Sequence, residues 1–295
     1  MRVAVTGASG LIGSALCTSL REDGHDVITL VRRAPTSANE VEWNPQTGNV
    51  DLDGLQGVDA IVHLAGAGVG DHRWTDEYKE EIRSSRVLGT TAIARAAAAL
   101  NPQPRVLVCG SAIGYYGDRG DEPLTEASSK GTGFLSDVVA DWEAAADPAR
   151  HAGIRVAHAR TGLVVSDKGG AWERMIKIFK LGGGGKLGSG KQVWSFISLT
   201  DEVRALRFLI DNDDLSGPVN LTAPHPVTNA EATKALAEAL HRPSFLPVPA
   251  FALKAALGEF STEVLSSSCV LPQRLTETGF EWSAPTMDAA LKQIL

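Results

Sequence analysis

Apolar residues fall in short runs along the first half of this chain, separated from stretches of helical spacing by polar or glycine-rich turns. Val3–Thr6 predicts a strand, Leu11–Glu22 a helix that Gly24 closes, and Asp26–Val31 a second strand of β-branched and leucine residues. Val58–Leu64 predicts a third strand, left through Ala65-Gly66-Ala67-Gly68. Thr75–Leu100 predicts a long helix whose early Asp76, Glu77, Glu80 and Glu81 suit the positive end of its dipole. Arg105–Cys109 and Ile154–Ala159 predict further buried strands, with a helix over Ser136–Ala146 between them. Apolar strands alternating with helices imply a parallel sheet covered on both faces.

The second half is patterned differently. Leu181–Lys191 is a glycine-rich loop that suits a mobile lid on a pocket, Thr200–Ile210 predicts a helix capped by Thr200, and Val219–Leu221 a short strand. From Pro247 onward the chain is punctuated by prolines and mostly helical. The expected fold class is α/β: a Rossmann-type doubly wound parallel sheet with a smaller, mostly helical C-terminal substrate lobe. Residues 1–165, with a return segment about 195–222, would form the dinucleotide-binding domain, and residues 166–194 and 223–295 the lobe covering the open end of the sheet.

Composition narrows the function. The 295 residues carry a net charge of −7, which argues against nucleic acid as partner, since phosphate neutralisation needs a basic surface. The three cysteines, Cys17, Cys109 and Cys269, have no close spacing and read as free thiols in a reducing compartment. The opening residues carry no signal-peptide pattern, and no apolar stretch has spanning length. A cytoplasmic protein with no membrane partner is expected; the oligomeric state is not legible.

The densest chemical information lies in Val3-Ala4-Val5-Thr6-Gly7-Ala8-Ser9-Gly10-Leu11-Ile12-Gly13. A strand runs into glycines at i, i+3 and i+6 and then into a helix, the context in which backbone N–H groups and a helix dipole receive a pyrophosphate. At the end of the second strand, an NAD site carries a carboxylate for the ribose 2′-hydroxyl. Here Arg32-Arg33 stands instead, which suits a 2′-phosphate, or else a solvated strand edge. The expected cofactor is NADP.

Other motifs fall away. Gly185-Lys186-Leu187-Gly188-Ser189-Gly190-Lys191 satisfies the front of a P-loop, but Gln192 follows where Ser or Thr is required, and no strand precedes it. The seven histidines show no metal-ligand spacing, so no metal is expected. There is no G-x-S-x-G elbow for a serine hydrolase.

The glycine triplet, His63-Leu64-Ala65-Gly66 and Ser111 together resemble the extended short-chain dehydrogenase/reductase superfamily. Arg73-Trp74, Ser85-Arg86, Ser111-Ala112-Ile113-Gly114-Tyr115-Tyr116-Gly117, Trp142-Glu143, the Gly182–Gly190 loop and the stretch from Pro247-Val248-Pro249 to Gly279-Phe280 resemble its atypical epimerase-family branch, also known under the misnomer of SulA-type proteins. The resemblance spans nearly the whole chain. It implies that Gly7, Ser9, Gly10, Leu11, Ile12 and Gly13 surround a pyrophosphate, and that Arg32 and Arg33 meet a 2′-phosphate. It further implies that Leu64 and Ala65 line the adenosine–ribose side, and that Glu81 and Arg86 reach the cofactor. For substrate it implies a small molecule, with a sugar nucleotide as the analogous form.

The superfamily's Tyr-x-x-x-Lys pair is missing: aligned on Glu143, its positions fall on Leu135 and Val139, which transfer no proton. Ser111 and Tyr116, at the carboxyl end of a strand, are the catalytic candidates in its place, with Tyr116 as proton donor or else as a packed wall residue. Two functions follow: an NADP-dependent oxidoreductase or epimerase lacking the usual pair, or a catalytically inactive NADP(H)-binding sensor or scaffold.

Overall fold

The computed structural model describes all 295 residues. Its centre is an eight-stranded sheet. The first strands are β1 (Arg2–Thr6), β2 (Asp26–Val31), β3 (Glu40–Asn44), β4 (Asn49–Val50), β5 (Ala60–His63) and β6 (Val106–Ala112). The short β7 (Pro123–Leu124) lies outside it, and β8 (Arg155–Thr161) returns to it. β9 (Leu163–Val165), β10 (Val193–Trp194) and β11 (Phe196–Ser198) are again peripheral, and β12 (Gly217–Leu221) forms the far edge. The order is β12-β8-β6-β5-β1-β2-β3-β4, and every neighbouring pair is parallel except β3 with β4. The chain winds outward from β1 through β2 and β3, then crosses back to β5, so the crevice that receives ligands in such sheets opens between β1 and β5.

Strand alternation divides the core into two layers. Val3, Val5, Val62, Val108 and Ala159 face Leu16 and Leu20 of α1 (Leu11–Glu22) together with Leu206 and Leu209 further along. On the opposite face Ala4, Ile28, Ile61, Leu107 and Val156 meet Ile93, Ala94 and Ala97 of α2 (Asp76–Ala99). Next come α3 (Phe134–Ala144), α4 (Asp147–His151), α5 (Gly170–Lys180), α6 (Leu199–Asp211) and α7 (Asn229–Ala239). A third apolar cluster joins Trp172, Ile176 and Phe179 of α5 to Leu236 of α7 and to Met287 and Leu291 near the end of the chain, forming the core of the second lobe.

Several ends differ from expectation for local reasons. Ser198, not Thr200, caps α6: its hydroxyl accepts the Asp201 N–H at 3.0 Å, and Thr200 falls inside the first turn. α3 begins at Phe134 rather than Ser136, whose hydroxyl donates to the Gly114 and Thr132 carbonyls. β6 runs on to Ala112 because β8 continues to pair with it as far as Thr161. The Leu181–Lys191 loop is fastened rather than free. Leu187 N–H donates to Asn229 Oδ1 at 2.8 Å, and the Gly188 and Val248 N–H groups bond the Val248 and Lys186 carbonyls at 2.8 Å each. It therefore belongs to the wall of the second lobe. No helix is long and apolar enough to cross a membrane.

Candidate functional site

Gly7 takes a φ of +66°, and a Cβ there would stand 2.8 Å from the Leu64 carbonyl carbon, so the turn presses directly on the end of β5. A Cβ on Gly13 would collide with the Gly7 carbonyl, which explains the third glycine as a helix–strand contact. Gly10 is different: its Cβ would meet only the Gly7 oxygen, at 3.3 Å, and both Ser9 and Gly10 are exposed. No side chain caps α1 and no acidic residue occupies its first turn, which leaves its N–H groups to an anion. Thr6 ties the two strand ends together. Its hydroxyl receives the Leu64 and Ala65 N–H groups at 3.0 and 3.2 Å and lies 2.7 Å from His63 Nδ1. His63 is wholly buried, and burial pushes its imidazole down to about 4.

The residues expected around a dinucleotide are gathered unevenly. Leu64 and Ala65 are half-buried at the crevice, and Leu11 and Ile12 line α1's first turn. Arg86 lies beneath the β5 loop, donating to the Ala67 and Ile82 carbonyls at 2.9 and 3.0 Å, with its guanidinium 4.9 Å from the Trp142 ring centroid. Burial without a carboxylate partner brings it down to about 10. Glu81 is exposed on the same helix with no side-chain partner. Arg32 is exposed and unpaired, whereas Arg33 is bound to Glu40. These groups fit a phosphorylated dinucleotide: a backbone cradle open only at Gly10, uncapped N–H groups, and cations without anions.

The expected acid–base pair is closed off. Tyr116 is fully buried; its hydroxyl donates to Asn220 Oδ1 at 2.7 Å and accepts from Arg160 at 2.9 Å. Burial pushes its phenol up, against the pull of Arg160. It is the wall residue, not an accessible proton donor. Ser111 is 5% exposed, and its hydroxyl donates to Glu143 Oε1 at 2.7 Å. Arg160 grips Glu143 with two bonds of 2.7 and 2.8 Å. Burial pushes the Glu143 carboxyl up, but Arg160's bonds and charge outweigh it and hold the group below its ordinary range. The same guanidinium lies 3.5 Å from the Tyr115 ring centroid. Tyr115 is half-buried and its hydroxyl makes no hydrogen bond to the protein, so it is the phenol with an unspent proton here.

Leu135 and Val139 pack toward Gly114: a Cβ on Gly114 would lie 3.5 and 4.0 Å from them. The positions of the usual relay pair are filled with apolar contact. Lys130 is paired with Asp137 on the surface and takes no part. Arg160 and Glu143 carry the organisation of this edge, and one signal for them lies in the sequence. Arginine inside the strand Val156-Ala157-His158-Ala159-Arg160 demands a buried partner.

Residues of the second lobe touch the rim of the crevice. Gly169 lies against the Leu11 side chain, with its Cβ position 3.6 Å away, and Arg174 donates to the Gly70 carbonyl at 3.0 Å. Lys79 pairs with Glu259 at 3.0 Å. No group of three or more histidine, cysteine or acidic side chains is placed to hold a metal ion.

Comparisons with known proteins agree with this geometry. The model of the NAD dependent epimerase/dehydratase family matches residues 3–221, and that of a domain of unknown function, DUF1731, matches residues 248–294. An epimerase family protein of Mycobacterium bovis is 46% identical over 290 residues, covering 98% of this chain and 96% of its own length. The crystal structure of the human epimerase family protein SDR39U1 with NADPH superposes with a TM-score of 0.91 at 32% identity, covering 100% of this chain and 99% of that one. A nucleoside-diphosphate sugar epimerase from Corynebacterium glutamicum gives a TM-score of 0.82 at 38% identity, covering 99% of this chain and 57% of the other.

Proposed function

The chain belongs to the NAD dependent epimerase/dehydratase family, and from that premise we propose that it is an NADP(H)-dependent oxidoreductase or epimerase acting on a small or nucleotide-linked substrate. The observation that carries the cofactor choice is Arg32, an exposed and unpaired cation at the carboxyl end of β2, beside a turn open at Gly10. Human SDR39U1, similar along its whole length, was solved with NADPH. In this reading Gly7, Ser9, Gly10, Leu11, Ile12 and Gly13 hold the pyrophosphate, Leu64 and Ala65 line the ribose side, and Arg86 and Glu81 lie along the cofactor's course. A nicotinamide dinucleotide bound there supplies reversible hydride exchange. The chain's own part is to exclude water beneath the 166–194 and 223–295 lobe, orient substrate, and move a proton at the edge built by Ser111, Glu143 and Arg160. Tyr115 Oη is the proton donor this arrangement leaves available. A sugar nucleotide as substrate is supported by the description of the Corynebacterium neighbour. The three free thiols suit a reducing, cytoplasmic setting.

The sealed Tyr116 and the apolar Leu135 and Val139 favour a second reading, an NADP(H)-binding sensor without turnover. Mass spectrometry of ligands released from gently isolated protein tests the cofactor: NADP(H) is expected, and NAD(H) as the sole dinucleotide overturns the proposal. NADPH oxidation measured against small carbonyl compounds, together with chromatographic analysis of nucleotide sugars for epimerised product, which forms without net NADPH consumption, separates the two functions. Turnover in either assay supports the enzyme, and tight binding without turnover in both supports the sensor.

A further inference from the structure

The two arginines that follow β2 are not equivalent. Arg33 meets the Glu40 carboxylate with parallel bonds of 2.9 and 2.6 Å, and the first of these nitrogens also donates to the Ala34 carbonyl at 2.9 Å. Glu40, at the start of β3, accepts the Thr36 N–H at 2.7 Å and the Thr36 hydroxyl at 2.9 Å as well. The Arg33 and Thr36 hydrogen bonds bring the Glu40 carboxyl down to about 2, so the clamp stays charged at any working pH. Arg33 is therefore fixed edge-on and charge-neutralised, yet its side chain is 55% exposed. What it presents to a ligand is a flat face. Arg32 keeps every donor free.

We propose that these residues divide the adenosine end of the dinucleotide: Arg32 takes the 2′-phosphate, Arg33 is the platform on which the adenine ring stacks, and Glu40 is the positioning residue that fixes the platform. The assignment rests on the dinucleotide lying along the Gly7–Gly13 cradle. A neutralised guanidinium with a carboxylate at its edge adds little net attraction for a phosphate dianion, whereas its delocalised plane stacks well on an aromatic face. A lysine would retain the charge at this position and lose the plane. Adenine is common to NADPH and NADH, so the platform serves both, and Arg32 alone carries the discrimination.

Calorimetric titration of NADPH and of NADH into the full chain tests this. Arg32→Ala is expected to weaken NADPH about tenfold or more while leaving NADH unchanged. Arg33→Ala is expected to weaken both cofactors alike, about three- to fivefold. Arg33→Lys is expected to match Arg33→Ala although it retains the charge and is able to pair with Glu40, and Glu40→Gln to weaken both cofactors in the same direction. Thermal melts identify properly folded variants. Loss of NADPH affinity alone in Arg33→Ala, or wild-type affinity in Arg33→Lys, overturns the platform while leaving the cradle standing. Binding of neither cofactor by the unaltered protein overturns the cradle and the platform together.

Discussion

Tyr115 and Tyr116 are chain neighbours with opposite surroundings, set by one guanidinium between them. Tyr116 Oη holds Arg160 and Asn220, partners 44 and 104 positions away. Tyr116→Phe strands both, so it is expected to cost about 1–3 kcal/mol of stability in urea unfolding while leaving NADPH affinity unchanged. Tyr115→Phe keeps the ring on Arg160 and is expected to stay within about 0.5 kcal/mol of wild type. Full stability of Tyr116→Phe with loss of NADPH binding would contradict these placements. Residue-scale legibility follows sequence distance. The glycine turn is local and readable, because every constraint on it lies within a few residues or on the next strand. The Ser111–Glu143–Arg160–Tyr116 network joins residues that nothing local connects, and so the sequence leaves Tyr116 open between reacting group and wall residue.

Within α6, Glu202 occupies a first turn that is otherwise ordinary. It is wholly buried; Thr161 donates to its Oε1 at 2.8 Å, and its Oε2 has no partner. Burial pushes this carboxyl from about 4.5 up to about 8, against the bond from Thr161. A folded value above the unfolded one means that the folded state binds the proton more tightly. Its stabilising contribution is therefore full below about pH 4.5 and is lost as pH rises through about 8, at about 1.4 kcal/mol per pH unit inside that window. Glu202→Gln is expected to melt close to wild type at pH 5 and increasingly above it by pH 9. A constant difference across that range would place the carboxylate in water. At this scale the strands and α1, α2 and α6 are legible because their apolar spacing is clean. α5 carries the same signal in Trp172, Ile176 and Phe179, but the glycines flanking it mask it among loops. β4 is a two-residue edge strand, and β3 buries only Val41 and Trp43 between charged and polar neighbours, so neither stands out as an apolar run.

At the scale of the whole molecule, the reversal of strand order between β1 and β5 places the crevice, and every cation without an anion described above lies along or beneath its rim. That topology was implied by the alternation of strands and helices. The grip of the second lobe on the β5 loop through Arg174 to Gly70, and on the first turn of α2 through Glu259 to Lys79, was not, because it depends on pairings about 100 to 180 residues apart. Every cofactor contact proposed for this chain requires a dinucleotide lying across Gly10, and a calorimetric titration of NADPH into Gly10→Val tests that most directly. The Cβ added there meets only the Gly7 oxygen at 3.3 Å, so the variant is expected to fold, with a melting temperature near wild type, and to show no NADPH binding because the branched side chain fills the pyrophosphate's place. A folded Gly10→Val protein that retains wild-type NADPH affinity would contradict the account.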